Sequence, residues 1–289
     1  MYMDDVTVMY DPEKGTNGGW VPGKKYYWPM DGFLTFAAYH PIYGIGTVSY
    51  GETGFTIDGF EVEDDPEKQI DLLFSERAYD MTSTDQKDAN LYYYGVQLNF
   101  LHALSSIVFK IRADGSLVGD GTAGYEFKVK KIELLDVYDK GRFNQNLSPA
   151  EHHPSTPEAS LADWICNVQS KKDYIAFDGS VTPLIVNTSE PVSTVSGDNK
   201  ANLILLPQNL DHGPEKVKLR VVYDLRHKNM TEGEYVTDNV VETELTTSSV
   251  STWLRGKRYI YTITLGLSEI RLTPKIENWV NSDAPNISI

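Results

Sequence analysis

The sequence has 289 residues and a formal net charge of −15, from 41 acidic and 26 basic side chains, and 40% of its residues are hydrophobic. This charge argues against nucleic acid and anionic membrane surfaces as partners, because both attract surfaces rich in Lys and Arg. The hydrophobic share supports a packed core, and the single cysteine, Cys166, excludes an intrachain disulfide bond.

The sequence carries no targeting or membrane segment of a familiar kind. No stretch approaches the roughly 20 consecutive apolar residues of a membrane-spanning helix. The first residues, MYMDDVTVMY, lack the basic and apolar regions of a signal peptide. We therefore expect either a cytosolic protein or the mature or trimmed form of an exported one.

Short strand patterns separated by Gly, Pro, Asp and Asn recur along the chain, whereas helical periodicity is nearly absent. Before residue 124 the predicted strands cover residues 6–10, 34–39, 55–57, 60–62, 71–74 and two parts of 96–111. After it they cover residues 127–137, 174–177, 184–186, 203–206, 217–225, 240–245, 259–265 and 270–276. The pattern predicts an all-β protein with at most short helices.

Residues 96–111, VQLNFLHALSSIVFKI, predict a sharp corner between two strands. In the first half Val96, Leu98 and Phe100 share one face, and in the second half Ile107 and Phe109 share one face. The buried parity changes from even to odd across HALSS, so one straight strand cannot bury both sets. We expect His102, within the corner, to be buried with a backbone partner.

Residues 113–124, ADGSLVGDGTAG, form a small-residue linker and predict a domain boundary. We place a first domain at residues 1–122 and a second at residues 123–289. One helix is predicted in the second domain, since Thr156 suits an N-cap and Leu161, Trp164, Ile165 and Val168 follow helical spacing.

Candidate chemical sites are weak. The spacing of Gly119, Gly121 and Gly124 matches a dinucleotide fingerprint, but the residues that follow alternate as a strand, where pyrophosphate binding needs a helix. No zinc or calcium pattern is complete. We therefore predict no catalytic residues, no metal and no cofactor.

Aromatic residues cluster in or beside predicted loops. Capping of the sandwich ends is the simpler interpretation, and stacking on sugars is the alternative. The residues are Trp20, Tyr26, Tyr27, Trp28, Tyr92, Tyr93 and Tyr94.

The last residues form an apolar, alternating tail. Ile287 and Ile289 alternate with Asn286 and Ser288, shortly after Trp279 and Val280. Such a segment can add as a strand to a sheet edge, either its own or that of a neighbouring molecule. Simple docking within the chain is an equal alternative.

Five parts of the sequence carry a family resemblance. They are YYWPMDGFLTFAAYHP (26–41), DLLFSE (71–76), VQLNFLHALSSIVFKI (96–111), LILLPQNL (203–210) and RGKRYIYTITLG with IRLTPKIENWV (255–280). Together they resemble the fimbrillin-like proteins, the Mfa-like and FimA-like type V pilus subunits of Bacteroides-type bacteria. Their order and approximate spacing carry the resemblance, since no single segment is diagnostic.

The resemblance implies two transthyretin-like β-sandwich domains, Greek-key-like, of about seven strands each. It implies export by a lipoprotein route, location in a fimbrium at the outer membrane, and removal of the first strand by a protease. The groove left in the first sandwich then accepts the C-terminal strand of another subunit. With residues 96–111 counted as one segment, about six strand segments precede Gly124, so we expect this chain to lack its first strand or strands.

The resemblance therefore predicts a non-enzymatic pilus subunit whose partners are other subunits, with a tip or minor adhesin role included. Trp279, Val280, Ile287 and Ile289 are the candidate donor-strand residues. Leu98, Phe100, Ile107 and Phe109 are the candidates for the groove and its core. The alternatives are a cell-surface lipoprotein that binds host or bacterial glycans or proteins, and a glycosidase-like enzyme with two facing carboxylates.

Overall fold

A computed structural model of the chain describes residues 3, 6–13, 19–51, 54–82, 96, 98–119, 123–145, 162–194, 203–213, 215–229 and 234–279. Within these ranges the only helical segments are two single 3-10 turns, Pro66–Lys68 and Gly115–Leu117. No helix in the described ranges is long and apolar enough to cross a membrane. The prediction of an all-β protein is confirmed.

The N-terminal part of the described chain carries nine strands. They are β1 (Val8–Asp11), β2 (Gly19–Pro22), β3 (Leu34–Phe36), β4 (Tyr39–His40), β5 (Thr47–Gly51), β6 (Gly54–Glu61), β7 (Leu73–Ser75), β8 (Ala78–Met81) and β9 (Phe100–His102). Most of them are only two to five residues long, so the sheets here are held by many short ladders.

Twelve further strands follow in the described chain, and several of them are long. They are β10 (Ser105–Ala113), β11 (Tyr125–Tyr138), β12 (Lys140–Gln145), β13 (Ala162–Cys166), β14 (Lys171–Asp178), β15 (Leu184–Val186), β16 (Val192–Ser193), β17 (Leu203–Leu205), β18 (Lys218–His227), β19 (Val236–Glu244), β20 (Lys257–Leu265) and β21 (Ile270–Asn278).

The first sandwich joins a sheet of order β13-β12-β6-β5 to a three-stranded sheet of order β4-β7-β9. Strand β3 precedes β4 in the chain and pairs with β8, which follows β7. The two-stranded sheet β3-β8 therefore extends the pairing of β4 with β7. Aromatic rings connect the two layers, since the Phe74 and Phe143 ring centroids lie 5.1 Å apart and those of Tyr39 and Phe55 lie 5.3 Å apart.

The second sandwich has two larger sheets. One has the order β16-β10-β20-β21, with β17 also paired to β10, and the other has the order β14-β11-β18-β19, with β15 also paired to β11. Strands β10 and β20 are parallel over eight residue pairs. The buried residues of both sandwiches, including Phe109, Phe127 and Tyr261, form one continuous hydrophobic core.

Strand pairing crosses the predicted division between residues 122 and 123. Strand β12 pairs with β6, so Phe143 lies opposite Ile57 in the first sandwich. Strand β10 pairs with β20 in the second sandwich. The exact domain limits stay a prediction, because each sandwich contains strands from both sides of residue 122.

The predicted corner at HALSS is confirmed. Strand β9 ends at His102 and pairs with β7, whereas β10 begins at Ser105 and pairs with β17 and β20. Ala103 and Leu104, between the two strands, are fully buried. The change of parity in the sequence therefore marks the point where the chain passes from one sandwich to the other.

The predicted helix is wrong where the structure describes it. Residues 162–166 form β13, an antiparallel partner of β12, and residues 156–161 lie outside the described ranges. Trp164 packs on Phe60 and Phe143, whereas Ile165 is 58% exposed. This alternation across one strand accounts for the burial, and the helical spacing of Leu161, Trp164 and Ile165 was coincidental.

Candidate functional site

The sheet β4-β7-β9 has three strands where its facing sheet has four. Tyr39, Phe74 and Leu101 lie opposite one another across it. Backbone bonds extend the ladder beyond the strands, because the Ser75 N–H donates to the Ala38 carbonyl and the Glu76 N–H donates to the Asn99 carbonyl, each at 2.8 Å. Among the described residues, no further strand pairs with the outer edge of β4 or of β9.

An apolar cleft of about 320 Å³ lies beside this sheet. Leu34 and Phe36 of β3 line it, together with Val96 and Leu98. Trp28 closes part of the cleft, and its ring meets that of Phe36 edge-to-face at 5.9 Å. Val96 and Leu98 are buried, although neither residue belongs to a strand.

The four candidate groove residues do not lie together. Leu98 lines the cleft and is 4% exposed, whereas Phe100 is half-buried in β9. Ile107 and Phe109 belong to β10 in the second sandwich, where the Phe109 ring stacks on Tyr261 at 5.7 Å. Of the four, Leu98 alone lines the cleft.

Trp279 is the one donor-strand candidate within the described ranges, and Val280, Ile287 and Ile289 lie outside them. Its indole stacks on the imidazole of His102, with ring centroids 3.8 Å apart and planes 6° apart. Its backbone N–H donates to the Gly256 carbonyl at 2.9 Å. The last described residue is therefore fixed against β9, the edge strand of the three-stranded sheet.

Asp71 completes the contacts of His102. The His102 Nδ1 atom lies 2.9 Å from the nearer carboxylate oxygen of Asp71, and His102 is 7% exposed. The expected burial of His102 is confirmed, but its partner is a carboxylate and an indole ring, where the sequence suggested backbone. Asp71 comes directly before the buried Leu72. No pattern in the sequence connects Asp71 to His102, which lies 31 positions further along the chain.

Cys166 is a free thiol at the end of β13 and is half-buried. Its Sγ lies 3.5 Å from the Pro207 carbonyl, and burial raises the pKa of the thiol to about 11. The thiolate is the reactive form of cysteine, so a raised pKa makes this residue a poor nucleophile.

Within the described ranges no group of three His, Cys, Asp or Glu side chains is placed to hold a metal ion.

The aromatic clusters are partly exposed. Tyr27 is 68% exposed, Trp28 is half-buried against Phe36, and Trp20 packs edge-to-face on Tyr10 at 5.8 Å. Tyr92, Tyr93 and Tyr94 lie outside the described residues. Trp20 and Trp28 thus pack on other aromatic rings, the first in the β1-β2 hairpin and the second at the cleft.

Comparison with known proteins identifies the family. The model of the fimbrillin-like family matches residues 2–279. A fimbrial protein from Bacteroides vulgatus superposes with a TM-score of 0.57 at 18% identity, over 96% of this chain and 86% of its own. A Bacteroides uniformis protein described as a cell adhesion protein superposes with a TM-score of 0.52 at 18% identity, over 92% and 82%.

No curated protein matches the sequence. The two solved structures support the fold alone at this level of identity, whereas the family model covers nearly the whole chain. The chain therefore belongs to the fimbrillin-like family.

Proposed function

We propose that this chain is a structural pilus subunit that assembles by donor-strand addition. Membership of the fimbrillin-like family supports a pilus subunit at the cell surface whose partners are other subunits. The observation that carries the mode of assembly is the three-stranded sheet β4-β7-β9, packed on a four-stranded sheet and bordered by an apolar cleft.

An added strand would satisfy two physical requirements of this sheet. An edge strand presents backbone N–H and C=O groups that gain partners when another strand pairs with it. The cleft lined by Leu34, Phe36 and Leu98 would take apolar side chains from the incoming strand. Side chains of a strand alternate between faces, so a segment with an apolar residue at every second position suits it.

The segment after β21 is the proposed donor. Ile287 and Ile289 alternate with polar residues and would enter the cleft of another subunit, while Val280 would pair near the start of the segment. Trp279 would hold the root of the donor on its own subunit through His102. Assembly of this kind is head-to-tail, which produces an open filament.

The proposal includes the cellular route and the absence of enzymatic activity. Export as a lipoprotein to the outer membrane, a tip or minor adhesin position and a non-enzymatic role follow the family resemblance. A glycosidase would require two facing carboxylates in a cleft. Among the described residues, no carboxylate lines the apolar cleft, and Asp163 is the one carboxylate that lines a second cleft beside β13.

The experiment compares the full chain with a chain that lacks residues 285–289, on unheated SDS gels and in negative-stain images. We expect a ladder and filaments from the full chain and monomers from the shortened one. The Ile287→Asp/Ile289→Asp variant should also stay monomeric. Its matched control, Asn286→Asp/Ser288→Asp, adds the same charge on the opposite face and should still assemble.

Two outcomes contradict the proposal. A shortened chain that assembles like the full chain removes the donor role of the tail. A full chain that stays monomeric at high concentration, and that binds no added peptide with the sequence of residues 279–289, removes the acceptor role of the first sandwich.

A further inference from the structure

We propose that the outer face of the β10-β20-β21 sheet binds an acidic saccharide, meaning a sugar that carries a carboxylate or a sulfate group. Phe109, Tyr261 and Ile263 point from this sheet into the core, so the alternate residues form its outer face. Alternation and register place five basic side chains there, and they are Lys110, Arg112, Arg258, Arg271 and Lys275. We call these residues the basic face.

The basic face is unusual in a chain with a net charge of −15. Lys110, Arg112 and Arg258 have no carboxylate within 4.0 Å in the described part of the chain. Glu277 on β21 pairs with Lys275. Its pKa is lowered mainly by the hydrogen bond from Lys275, with smaller effects from Arg258 and Lys110.

The outer face of the opposing sheet differs in its ion pairs. There Lys130 lies 2.8 Å from Asp224, Lys131 2.6 Å from Glu133, Arg220 2.7 Å from Glu242 and Arg226 3.0 Å from Glu126. These cations are already neutralised by their own protein. On the basic face, Arg271 and Lys275 also have acidic partners. Lys110, Arg112 and Arg258 are therefore the cations that remain open to an external anion.

A cleft of about 370 Å³ lies at one end of the basic face and gives the anion a defined place. Arg112, Arg271, Ser189, Thr264 and Thr273 line it. The Arg112 Nε donates to the Thr264 hydroxyl at 3.1 Å, which orients the guanidinium group. Its other N–H groups form the planar fork that binds a carboxylate or a sulfate with two hydrogen bonds.

Asp114 also lines the cleft and places a negative charge beside Arg271. Its carboxylate pairs with Arg271 and accepts hydrogen bonds from the Ser116 backbone and hydroxyl. A bound anion would therefore sit next to Arg112, with Arg271 shared between the ligand and Asp114. The arrangement suits one anionic group in the cleft.

The hydroxyl groups around the cleft favour a sugar over a protein. Thr264, Thr273 and Ser189 can exchange hydrogen bonds with sugar hydroxyls, each acting as donor or acceptor. Protein interfaces centre on exposed aromatic or apolar anchors. The apolar residues on the outer face, Val108 and Ile260, are half-buried, and the outward positions of the three strands carry no aromatic side chain.

The same features argue against nucleic acid. A net charge of −15 repels a long polyanion, and single-stranded nucleic acid is held by base stacking on aromatic side chains. A saccharide with a single acidic group avoids both problems. The expected ligand is thus the acidic end of a glycan, bound to a subunit that the family places at a cell surface.

In the test, the purified full chain is titrated with a sialylated trisaccharide, a sulfated disaccharide and neutral lactose, and calorimetry measures the binding in each titration. We expect an acidic sugar to bind, lactose not to bind, and added salt to weaken binding. The sialylated sugar carries a carboxylate and the sulfated sugar carries a sulfate, so the comparison shows which of the two anionic groups the protein binds. Arg112→Gln should lower the affinity about tenfold or more, because a charge-assisted hydrogen bond is lost.

The matched control is Arg220→Gln on the opposing sheet, which should bind as the parent chain does. Lys110→Gln is exposed and serves as a second variant if Arg112→Gln fails to fold. Equal binding of lactose and the acidic sugars, or unchanged binding by both variants, would overturn the proposal. Tighter binding of a short single-stranded DNA that is lost in the same variants would also overturn it, in favour of nucleic acid. The measurement uses monomers and does not depend on pilus assembly.

Discussion

The imidazole of His102 lies face to face on the indole of Trp279, with the ring centroids 3.8 Å apart. These residues are 177 positions apart in the sequence, one at the end of β9 in the first sandwich and the other just after β21 in the second. Their contact connects the edge of the three-stranded sheet to the root of the C-terminal segment. It is thus a tie between the two sandwiches at the place where the proposed donor strand begins.

Replacement of Trp279 by Ala should destabilise the protein and weaken this tie. A double-mutant cycle with His102→Ala isolates the ring contact, and we expect a coupling free energy of about 0.5–1.5 kcal/mol, the range of aromatic pairs. Urea unfolding followed by circular dichroism measures the four free energies of unfolding. Strictly additive effects of the two substitutions would show that the stacked rings contribute nothing of their own.

Phe143 shows how far the first sandwich depends on residues after position 122. It is fully buried on β12, and its ring lies within 6 Å of those of Phe55, Phe74 and Trp164. We expect Phe143→Ala to lower the free energy of unfolding by about 3–5 kcal/mol, as for other buried aromatic residues. Ile165→Ala, on the neighbouring β13 and largely exposed, should cost much less.

The same contacts predict that residues 1–122 do not fold alone. Without β12 and β13 the first sandwich loses half of its four-stranded sheet and the ring of Phe143. Amide dispersion in a proton–nitrogen spectrum of the fragment gives the answer directly. A dispersed spectrum would favour the simple division at residue 122, and a collapsed one would favour domains that interleave along the chain.

Local patterns in the sequence were enough to predict the all-β fold and the corner after His102. Both depend on alternation within a few residues, which is a property of the strand itself. The pairing of β12 with β6 was not predictable, because Phe143 and Ile57 are joined only by the folded chain. Their burial patterns are those of any half-buried strand.

The candidate site shows the same limit. Leu98 lines the cleft, whereas Ile107 and Phe109 lie beyond the corner and belong to the other sandwich. The hydrogen bond between His102 and Asp71 was missed because it joins residues that are far apart in the sequence. The misassigned helix at residues 162–166 came from a helical spacing of apolar residues, but in the strand Trp164 is packed and Ile165 is exposed.

Cys166 should resist thiol reagents in the folded protein. Burial raises its pKa to about 11, so almost none of it is thiolate near pH 8. We expect slow reaction with Ellman's reagent at that pH and a rate increase of more than tenfold when the chain is unfolded in urea. Fast labelling of the folded chain, at a rate near that of the unfolded one, would contradict the burial of this thiol.

The ion pairs of Glu61 predict that the free energy of unfolding depends on pH. Lys140 and Lys172 each place an ammonium group 2.9 Å from its carboxylate and lower its pKa from the ordinary value of 4.5. A lowered pKa in the folded state means that the contribution is complete above about pH 4.5 and is lost as the pH falls through the folded value. Because the pair is exposed, Glu61→Gln should cost at most about 1 kcal/mol at neutral pH.

The cost of Glu61→Gln should shrink as the pH is lowered below 4.5, since the parent carboxylate then takes up a proton and resembles the amide. Urea midpoints at pH 7 and pH 3 for both chains measure this difference. Glu63→Gln, which removes an exposed carboxylate two residues away, controls for the general loss of negative charge. Equal costs of the Glu61 substitution at both pH values would mean that its ion pairs with Lys140 and Lys172 do not stabilise the fold.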